Sequence, residues 1–437
     1  MVKGFNFLRE NLLKNKILIE NFTFLSVLQI SNLILFLITI PFLFRVLGSD
    51  LYGLIVFAQA IVFYFSVFIN FGFNLTATRD ISVNRADRFK VSEIVSSVLT
   101  LKILLFLFSM GVMVSLTLLI PEFIKHRTLF ILAMLAGLSE ALFPVWYFQG
   151  IEKMKYITFI NVTTRIIATV FVFILIDSPG DYVYYPLVIG LGTVTGAIAA
   201  LAVVFYKHGI EFRLVKPGLL REYFRENLTY FLSNVSTQIY ANANKVIIGA
   251  LIGLSHLAYY DIADKVVYIL RVPYSLIGQT LLPRMSRNKN VSFLNRLIIL
   301  TLVLTLFLLV AVMIFSDLIV RYFSGNNNPE AANILRILSV ALLPMIISLF
   351  YGDILLITLS RKIEYLKTRF FGMLFYFVLI SILFISGFLD VITAAITLVL
   401  LEFFIATLSY IFAARHDTAV NGEDSIMRII FPNFGSK

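Results

Sequence analysis

Residues 53–73 read GLIVFAQAIVFYFSVFINFGF, a run of 21 residues without a charged side chain. A helix needs about 20 mainly apolar residues to cross the hydrocarbon core of a bilayer. The segment that follows, 74–93, contains four Lys and Arg residues. Because cytoplasmic loops of membrane proteins retain Lys and Arg, this pair of segments predicts a membrane-spanning helix that ends in the cytoplasm.

Eleven further apolar stretches of similar length occur along the 437 residues. The chain is 59% hydrophobic and only 14% charged, whereas soluble domains carry about 25% charged residues. We therefore predict an all-α polytopic membrane protein with twelve transmembrane helices. The predicted spans are 22–44, 53–73, 94–120, 128–150, 157–176, 185–206, 228–253, 263–284, 296–320, 331–357, 368–388 and 391–413.

The positive charges are sorted between alternate connecting segments. Of the 36 Lys and Arg residues, 26 lie in every second connection, counted from the N-terminal segment, and 4 lie in the connections between them. The remaining 6 lie within the apolar stretches. The positive-inside rule then predicts that both termini are cytoplasmic, which agrees with an even number of spans.

Composition also disfavours several classes of function. Basic cytoplasmic loops that face anionic lipid headgroups explain the net charge of +11, so no nucleic-acid partner is predicted. The chain has no cysteine and only four well-separated histidines, which argues against a metal site. It also lacks a GxxxxGKS/T phosphate loop. We predict no cofactor and no bound metal.

The two halves of the chain share a sequence pattern at an offset of 206 residues. ENFTF (20–24) opens the first predicted span and ENLTY (226–230) opens the seventh. Transporters built from parallel repeats place the substrate between the halves, although apolar segments can also resemble each other by chance. The pattern predicts an N-terminal six-helix bundle (1–206), a cytoplasmic connecting loop (207–227), a C-terminal six-helix bundle (228–413) and a cytoplasmic tail (414–437).

The seventh predicted span is rich in polar side chains. By their three-to-four spacing, six polar or small positions share one helical face: 234, 237, 238, 241, 244 and 245. Polar groups that face lipid lack partners, so this face predicts either a water-filled cavity or hydrogen bonds between helices. From this span we select Asn234, Gln238 and Asn242 as candidate substrate contacts.

Charged side chains within the spans are the strongest functional candidates, because each costs about 2.5–3.5 kcal/mol at a helix centre. The six cations are Lys102, Arg165, Lys245, Lys265, Arg271 and Arg336, of which Lys265 and Arg336 lie near enough to the surface to reach water. The four carboxylates are Glu140, Asp264, Asp353 and Glu402, all candidates for carrying a coupling ion. The excess of positive charge favours a phosphate-bearing substrate, because Lys and Arg form charge-assisted hydrogen bonds with phosphate oxygens.

Two segments carry a family likeness: LGSDLYGLIVFAQAIVFYFSVFINFGFNLTATRDIS (47–82) and FPVWYFQGIEKMKYIT (143–158). They resemble the Wzx-type polysaccharide flippases of the multidrug/oligosaccharidyl-lipid/polysaccharide exporter superfamily. The likeness continues more weakly through 242–253 and 259–273. The positions that match the family's motifs are Gly48, Tyr52, Gly53, Arg79, Asp80, Trp146, Gln149, Gly150, Lys245, Asp264 and Lys265.

This resemblance implies two six-helix bundles around a central cavity, in the inner membrane of a bacterium. It also implies that undecaprenyl-pyrophosphate-linked oligosaccharide repeat units are moved from the cytoplasmic to the periplasmic leaflet by alternating access. Lys102 and Arg165 are selected for their charge alone, because the embedded charges of the family vary with the sugar carried. The complete set of substrate-binding candidates is Lys102, Arg165, Lys245, Arg271, Arg79, Asn234, Gln238, Asn242 and Gln149.

Two other classes of function stay open. A cation-coupled multidrug exporter of the same superfamily has twelve spans but usually needs uncompensated carboxylates. A membrane glycan polymerase, which is an enzyme, usually shows an extended periplasmic loop or an acidic cluster at the membrane face. We therefore predict transport without catalysis. The predicted partners are the lipid-linked glycan and membrane lipids, and the family suggests polysaccharide polymerases, glycan ligases and chain-length machinery as neighbours.

Overall fold

All regular structure in the described part of the chain is helical, which confirms the all-α class. A computed structural model describes residues 2–288 and 291–416, but within these ranges not the side chains of 2–19, 229, 233, 234, 236, 237, 241, 279, 280, 282–284, 286–288, 291 and 292. Its α-helices are α1 (Val2–Asn70), α2 (Phe73–Asn84), α3 (Arg88–Leu119), α4 (Pro121–Lys125), α5 (Arg127–Leu142), α6 (Val145–Gly150), α7 (Met154–Leu175), α8 (Tyr184–Ala202), α9 (Pro217–Gln238), α10 (Ala243–Ile247), α11 (Leu254–Asn288), α12 (Val291–Ser324), α13 (Pro329–Val340), α14 (Leu342–Ile347), α15 (Lys362–Ile385) and α16 (Val391–His416). Short 3₁₀ segments are Pro179–Val183 and Tyr240–Asn242, and π-helical segments are Val203–Lys207, Ile248–Ile252 and Ser348–Leu356.

The chain packs as two compact units, unit 1 (Met1–Val235) and unit 2 (Ser236–Lys437). The connection predicted at 207–227 is a loop only in its first part, because α9 begins at Pro217 and continues to Gln238. In the second part, helical structure therefore replaces the predicted loop.

A break at Gly48 divides α1 between two of the predicted spans, 22–44 and 53–73. The backbone there has φ 76° and ψ 174°, a conformation that glycine reaches without the steric penalty of a Cβ atom. An unbroken helix over the 65 residues from Glu20 to Asn84 would be about 98 Å long at 1.5 Å per residue. The hydrocarbon core measures only about 30 Å, so the break separates two helices of spanning length.

Nine helices in the described residues are long and apolar enough to cross a bilayer, which supports a multi-pass membrane protein. One of them contains the two spans on either side of Gly48, and eight more match predicted spans one to one. The predicted spans 228–253 and 263–284 are not among the nine. The count of twelve transmembrane helices therefore stays a prediction.

The polar face predicted for residues 234–245 does not lie on one continuous helix, so that prediction was wrong. α9 ends at Gln238, a 3₁₀ turn follows, and α10 begins only at Ala243. Asn242 leaves the helical region with φ −119° and ψ 10°, in keeping with the tendency of Asn to favour local alternatives to helix. The side chain of the candidate Asn234 lies outside the described residues, as do those at 237 and 241.

Within unit 1, α6 packs closely against α2 at Gly150. A Cβ atom on Gly150 would lie 2.7 Å from Ile81 Cγ2 and 3.0 Å from the carbonyl oxygen of Thr78. The Thr78 hydroxyl lies 3.3 Å both from Gln149 Oε1 and from the Trp146 carbonyl oxygen. The two segments that carry the family likeness are therefore in direct contact.

We expect Gly150→Ala to lower the free energy of unfolding by about 1–3 kcal/mol, because the added methyl group overpacks this contact. Gly111→Ala in α3 is the matched control, since a Cβ atom there meets nothing within 4 Å. The free energy of unfolding of that variant should rise by about 0.5–1 kcal/mol, because alanine has a higher helix propensity than glycine. Denaturant titration of the purified protein in detergent measures both, and equal effects at the two glycines would refute the close approach.

Candidate functional site

Unit 2 contains a cavity of about 330 Å³ whose lining includes four charged side chains. α11 contributes Arg271, the π-helical segment contributes Asp353, α15 contributes Arg369 and α16 contributes Glu402. We call this group the arginine cavity. Three of its four charges were selected from the sequence, so the tertiary structure brings one substrate-binding candidate together with two coupling candidates.

The four charges of the arginine cavity have different environments. Arg369 Nη2 lies 2.5 Å from Asp353 Oδ1, and the arginine side chain is only 13% exposed. Glu402 is 7% exposed, yet within the described residues it forms neither a hydrogen bond nor an ion pair. Arg271 is exposed and forms no ion pair with any carboxylate that the structure describes. The cavity therefore contains a cation that is available to an anionic ligand and a buried carboxylate that can accept a proton.

A second charged group in unit 2 links α10 to α11, and we call it the lysine–aspartate cluster. Lys245 Nζ lies 2.9 Å from Asp261 Oδ1 and 2.8 Å from Asp264 Oδ2. The other oxygen of Asp261 lies 2.7 Å from Lys265 Nζ. Asp261 is 1% exposed, so its carboxylate is buried between two ammonium groups. Lys245 is thus already neutralised by protein carboxylates, which favours a structural role.

Asn244 connects the same region to the neighbouring helices. Its Nδ2 donates to Tyr260 Oη and to the Ala394 carbonyl oxygen, both at 2.9 Å, and its Oδ1 accepts from Tyr376 Oη. These contacts join α10 to α11, α15 and α16. Of the two interpretations of the polar face, interhelical hydrogen bonding therefore applies at Asn244.

The arginine cavity and the lysine–aspartate cluster each contain two carboxylates and two cations. Asp261 was not counted among the embedded charges because it lies just outside the predicted span 263–284, and Arg369 was assigned to a cytoplasmic connection. Net charge therefore does not mark either group as a site for an anion. Among the cations of these two groups, Arg271 is the one that has no paired carboxylate in the described residues.

In unit 1, a substrate-binding candidate and a coupling candidate form one ion pair. Lys102 Nζ on α3 lies 3.4 Å from Glu140 Oε1 on α5. Lys102 is fully buried, whereas the Glu140 side chain is 33% exposed. A buried ammonium group requires such a partner, because removing one member of a buried pair leaves an uncompensated charge.

Glu140→Leu should therefore lower the free energy of unfolding by about 3 kcal/mol, because Lys102 would be left buried and unpaired. The double variant Lys102→Met/Glu140→Leu should recover most of this loss, since an apolar pair can replace a buried ion pair at little cost. Denaturant titration in detergent of Glu140→Leu, Lys102→Met and the double variant gives the comparison. A double variant as unstable as the sum of the single variants would show that the pair is not a unit.

The other unit 1 candidates lie outside this ion pair. The Arg79 side chain is 59% exposed and forms an ion pair with its neighbour Asp80 at 2.8 Å. Arg165 is exposed and donates to Asn32 Oδ1 at 2.7 Å. Gln149 contacts α2, as described above.

The remaining candidates of unit 2 are partly exposed. Gln238 and Asn242 are half-buried on either side of the helix break. Arg336 pairs with Asp317 at 2.6 Å, and both side chains are at least one-third exposed, in keeping with a position near the surface.

Asp261 and Arg369 are the charged residues that the sequence analysis missed. A signal for Asp261 was present, because positions 261, 264 and 265 follow the three-to-four spacing of one helical face. No comparable signal marks Arg369, since hydropathy places it beside other basic residues at the end of an apolar run. Its 2.5 Å contact with Asp353 and its place in the lining of the arginine cavity identify it.

A model of the polysaccharide biosynthesis protein family matches residues 18–289, more than half of the chain. Two relatives carry the name "Putative O-antigen transporter". The one from Escherichia coli (strain K12) is 28% identical over 409 residues, covering 92% of this chain and 98% of the relative. The one from Shigella dysenteriae is 26% identical over 284 residues, covering 64% and 70%.

Solved structures of transporters share the fold. "Lipid II flippase MurJ, inward closed conformation" superposes with a TM-score of 0.72 at 16% identity, covering 93% of this chain and 91% of that one. A multidrug resistance MATE family transporter of the MOP superfamily, in an outward-facing conformation, gives a TM-score of 0.55 at 16% identity, covering 92% and 94%. At these identities the likeness establishes the fold alone.

Proposed function

The chain belongs to the polysaccharide biosynthesis protein family, and we propose on this basis that it is a flippase for lipid-linked oligosaccharides. It translocates undecaprenyl-pyrophosphate-linked repeat units of O-antigen or a related surface polysaccharide from the cytoplasmic to the periplasmic leaflet. The family match over residues 18–289 carries the proposal. The name of the two relatives supports the substrate class.

The barrier to this step is the desolvation of pyrophosphate and sugar in an apolar slab. A protein lowers it by replacing water with fixed polar contacts, while the lipid tail stays in the bilayer. Arg271 is the best-placed phosphate contact, because it faces a cavity and no ion pair within the described residues must break before it binds. The contacts need to be numerous and individually weak, since tight binding would trap the substrate. No covalent step is required.

Alternating access between two six-helix halves, 1–206 and 228–413, is the transport mode that we propose. Among the other candidates, Lys102 and Lys245 are assigned to structural support, because carboxylates already neutralise them. The candidates Arg79, Arg165, Gln149, Gln238, Asn242 and Asn234 remain proposed contacts of the sugar or the pyrophosphate.

Of the four coupling candidates, Glu402 is the one that we assign to a proton. Glu140, Asp264 and Asp353 each form an ion pair with a cation, so each of these carboxylates already has a structural role. Glu402 is buried without such a contact in the described part of the chain. Protonation would remove a buried negative charge near Arg271, so proton binding and anion binding can be linked in one cavity.

We place the protein in the bacterial inner membrane as a multi-pass protein with both termini cytoplasmic, from the distribution of its basic residues. It acts as a transporter and not as an enzyme. Its partners are the lipid-linked glycan and membrane lipids. Polysaccharide polymerases and chain-length machinery would act on the translocated product.

The test is a strain that lacks this protein, in which lipid-linked repeat units in the inner membrane are measured together with surface polysaccharide. The expected result is accumulation of complete single repeats in the cytoplasmic leaflet and loss of surface polymer, both reversed by re-expression. Accumulation in the periplasmic leaflet would indicate a polymerase instead. Unchanged lipid-linked glycan and surface polymer would reject the flippase and favour a multidrug exporter.

Proton coupling has a separate test. The Glu402→Gln variant, which keeps the shape of the side chain, should transport at a rate that no longer responds to the proton gradient. Asp264→Asn should retain that response. An unchanged response in Glu402→Gln would reject the assignment without affecting the proposed substrate.

A further inference from the structure

Four cations lie near the side chains of Tyr147, Tyr156 and His208 in unit 1, outside the groups described above, and we call them the basic cluster. They are Arg88, Lys153, Lys155 and Lys207. They come from three separate parts of the chain: the start of α3, the junction of α6 and α7, and the end of the π-helical turn that follows α8. Because like charges repel each other, four cations from three segments stay close only if other contacts join these segments.

Aromatic side chains form the base of the basic cluster. Tyr147 Oη lies 3.0 Å from His208 Nδ1, and the Tyr156 ring packs edge-on against the His208 ring with centroids 5.5 Å apart. Lys207 Nζ and Lys155 Nζ lie 5.3 Å and 5.8 Å from the centroid of the Tyr156 ring. Both ammonium groups are therefore placed against one aromatic ring.

The segment after α8 is fixed by hydrogen bonds to α3. The Ser92 hydroxyl accepts from the backbone N–H of Glu211 at 3.1 Å, and the Ser96 hydroxyl accepts from that of Arg213 at 2.9 Å. A Cβ atom added to Gly209 would lie 3.5 Å from Arg88 Nη1, so the Arg88 guanidinium lies beside this segment. These contacts position the basic cluster before any ligand arrives, which lowers the entropic cost of binding.

In the part of the chain described by the structure, no member of the basic cluster forms an ion pair. The neighbouring carboxylates are already engaged: Glu152 pairs with Arg85 at 3.5 Å and Glu211 pairs with Arg213 at 2.8 Å. The positive potential acts on His208, whose pKa is lowered first by burial and then by the charges of Lys153 and Lys207. The cluster is therefore a preformed cationic site, and no carboxylate in the described residues pairs with it.

Large apolar side chains at the same end of unit 1 are exposed. Phe212 is 54% exposed, Leu214 98%, Tyr206 90% and Phe89 61%. The Arg213 guanidinium lies 4.1 Å from the centroid of the Phe89 ring. Apolar side chains next to cations, at the ends of membrane-spanning helices, are typical of the boundary between headgroups and acyl chains.

We propose that the basic cluster binds the phosphate of an anionic phospholipid in the adjacent leaflet, while the exposed apolar side chains enter the acyl region. The unpaired cations account for the phosphate, and the apolar rim favours a lipid over a soluble phosphate compound. The positive-inside rule places this end at the cytoplasmic leaflet, where anionic lipids attract Lys and Arg. The site does not depend on the flipping substrate.

The test measures phosphatidylglycerol binding to the purified full-length protein in neutral detergent by native mass spectrometry, with phosphatidylcholine as the uncharged reference lipid. The variant is Arg88→Gln/Lys153→Gln/Lys155→Gln/Lys207→Gln. The matched control, Arg221→Gln/Arg225→Gln/Lys362→Gln/Lys367→Gln, removes four exposed basic residues outside the cluster. Wild type and control should bind phosphatidylglycerol about tenfold or more tightly than phosphatidylcholine, as expected for several cation–phosphate contacts near a membrane surface. The cluster variant should lose this preference.

Equal phosphatidylglycerol binding by the cluster variant and the wild type would overturn the proposal, and so would an equal loss in the control. Undecaprenyl pyrophosphate and inorganic phosphate are added as competitors to separate the sources of phosphate. If undecaprenyl pyrophosphate binding falls in the cluster variant while phosphatidylglycerol binding persists, the site takes lipid-linked pyrophosphate and the phospholipid assignment is wrong. The milder variant Lys155→Gln/Lys207→Gln, which alters two exposed side chains, provides the same comparison if the fourfold variant does not fold.

Discussion

Asp261→Asn should lower the free energy of unfolding by about 3–5 kcal/mol, the loss expected when one partner of a buried ion pair is removed. The Asp261 carboxylate contacts Lys245 and Lys265 through its two oxygens and is only 1% exposed. Because asparagine has nearly the same shape as aspartate, the substitution leaves no cavity. The loss of unfolding free energy would therefore measure the effect of the charge. Denaturant titration in detergent and the amount of protein in the membrane fraction measure the effect.

Asp264→Asn is the matched control for this prediction. Asp264 contacts only Lys245 among the cations of the cluster, and its side chain is 34% exposed. Lys245 would keep its contact with Asp261, so the expected loss is below about 1 kcal/mol, as for other partly exposed pairs. Equal losses at the two aspartates would show that Asp261 is not the centre of the lysine–aspartate cluster.

Arg271→Gln should reduce transport by roughly 10–100-fold and leave the unfolding free energy unchanged. One hydrogen bond to a charged group contributes about 1.5–3 kcal/mol, and each 1.4 kcal/mol corresponds to about tenfold. Stability should not change, because Arg271 is exposed and supports no ion pair in the described residues. Flipping of a lipid-linked oligosaccharide in proteoliposomes gives the rate.

Two other arginines of unit 2 serve as controls for Arg271. Arg336→Gln removes an arginine paired with Asp317 and should leave transport unchanged. Arg369→Gln should reduce stability as well as transport, because Asp353 would lose its partner at 2.5 Å. Normal transport by Arg271→Gln would remove the phosphate-binding role that we assign to this residue.

Several parts of the site were predictable from single residues. Arg271, Asp353 and Glu402 were selected because charge within an apolar run is costly, and they line one cavity. Lys102 and Glu140 were selected on the same ground for separate roles, yet they form one ion pair. The free-energy cost of a charge within an apolar span identifies a residue that needs a partner or a function. It does not identify which residue the partner is.

The helix break between Gln238 and Ala243 was not predictable from periodicity. A three-to-four spacing assumes that the helix continues, whereas the backbone at Asn242 leaves the helical region. A wrong boundary is also the reason why Arg369 was not selected. Charge patterning assigned it to a connecting segment, whereas α15 already begins at Lys362. Boundaries inside polar stretches depend on local hydrogen bonds that the hydropathy of the sequence does not contain.

The sequence by itself determined the class of protein: an all-helical chain that spans a membrane, with its basic residues sorted between alternate connections. This follows because a membrane-spanning helix satisfies its own backbone hydrogen bonds, so length and apolarity within one segment are sufficient evidence. Only the tertiary structure showed that Asp261 forms ion pairs with two lysines and that Arg369 forms one with Asp353. It also showed that Arg271 has no carboxylate partner in the described residues. An ion pair joins residues from different helices, and its formation depends on distances that no single segment specifies.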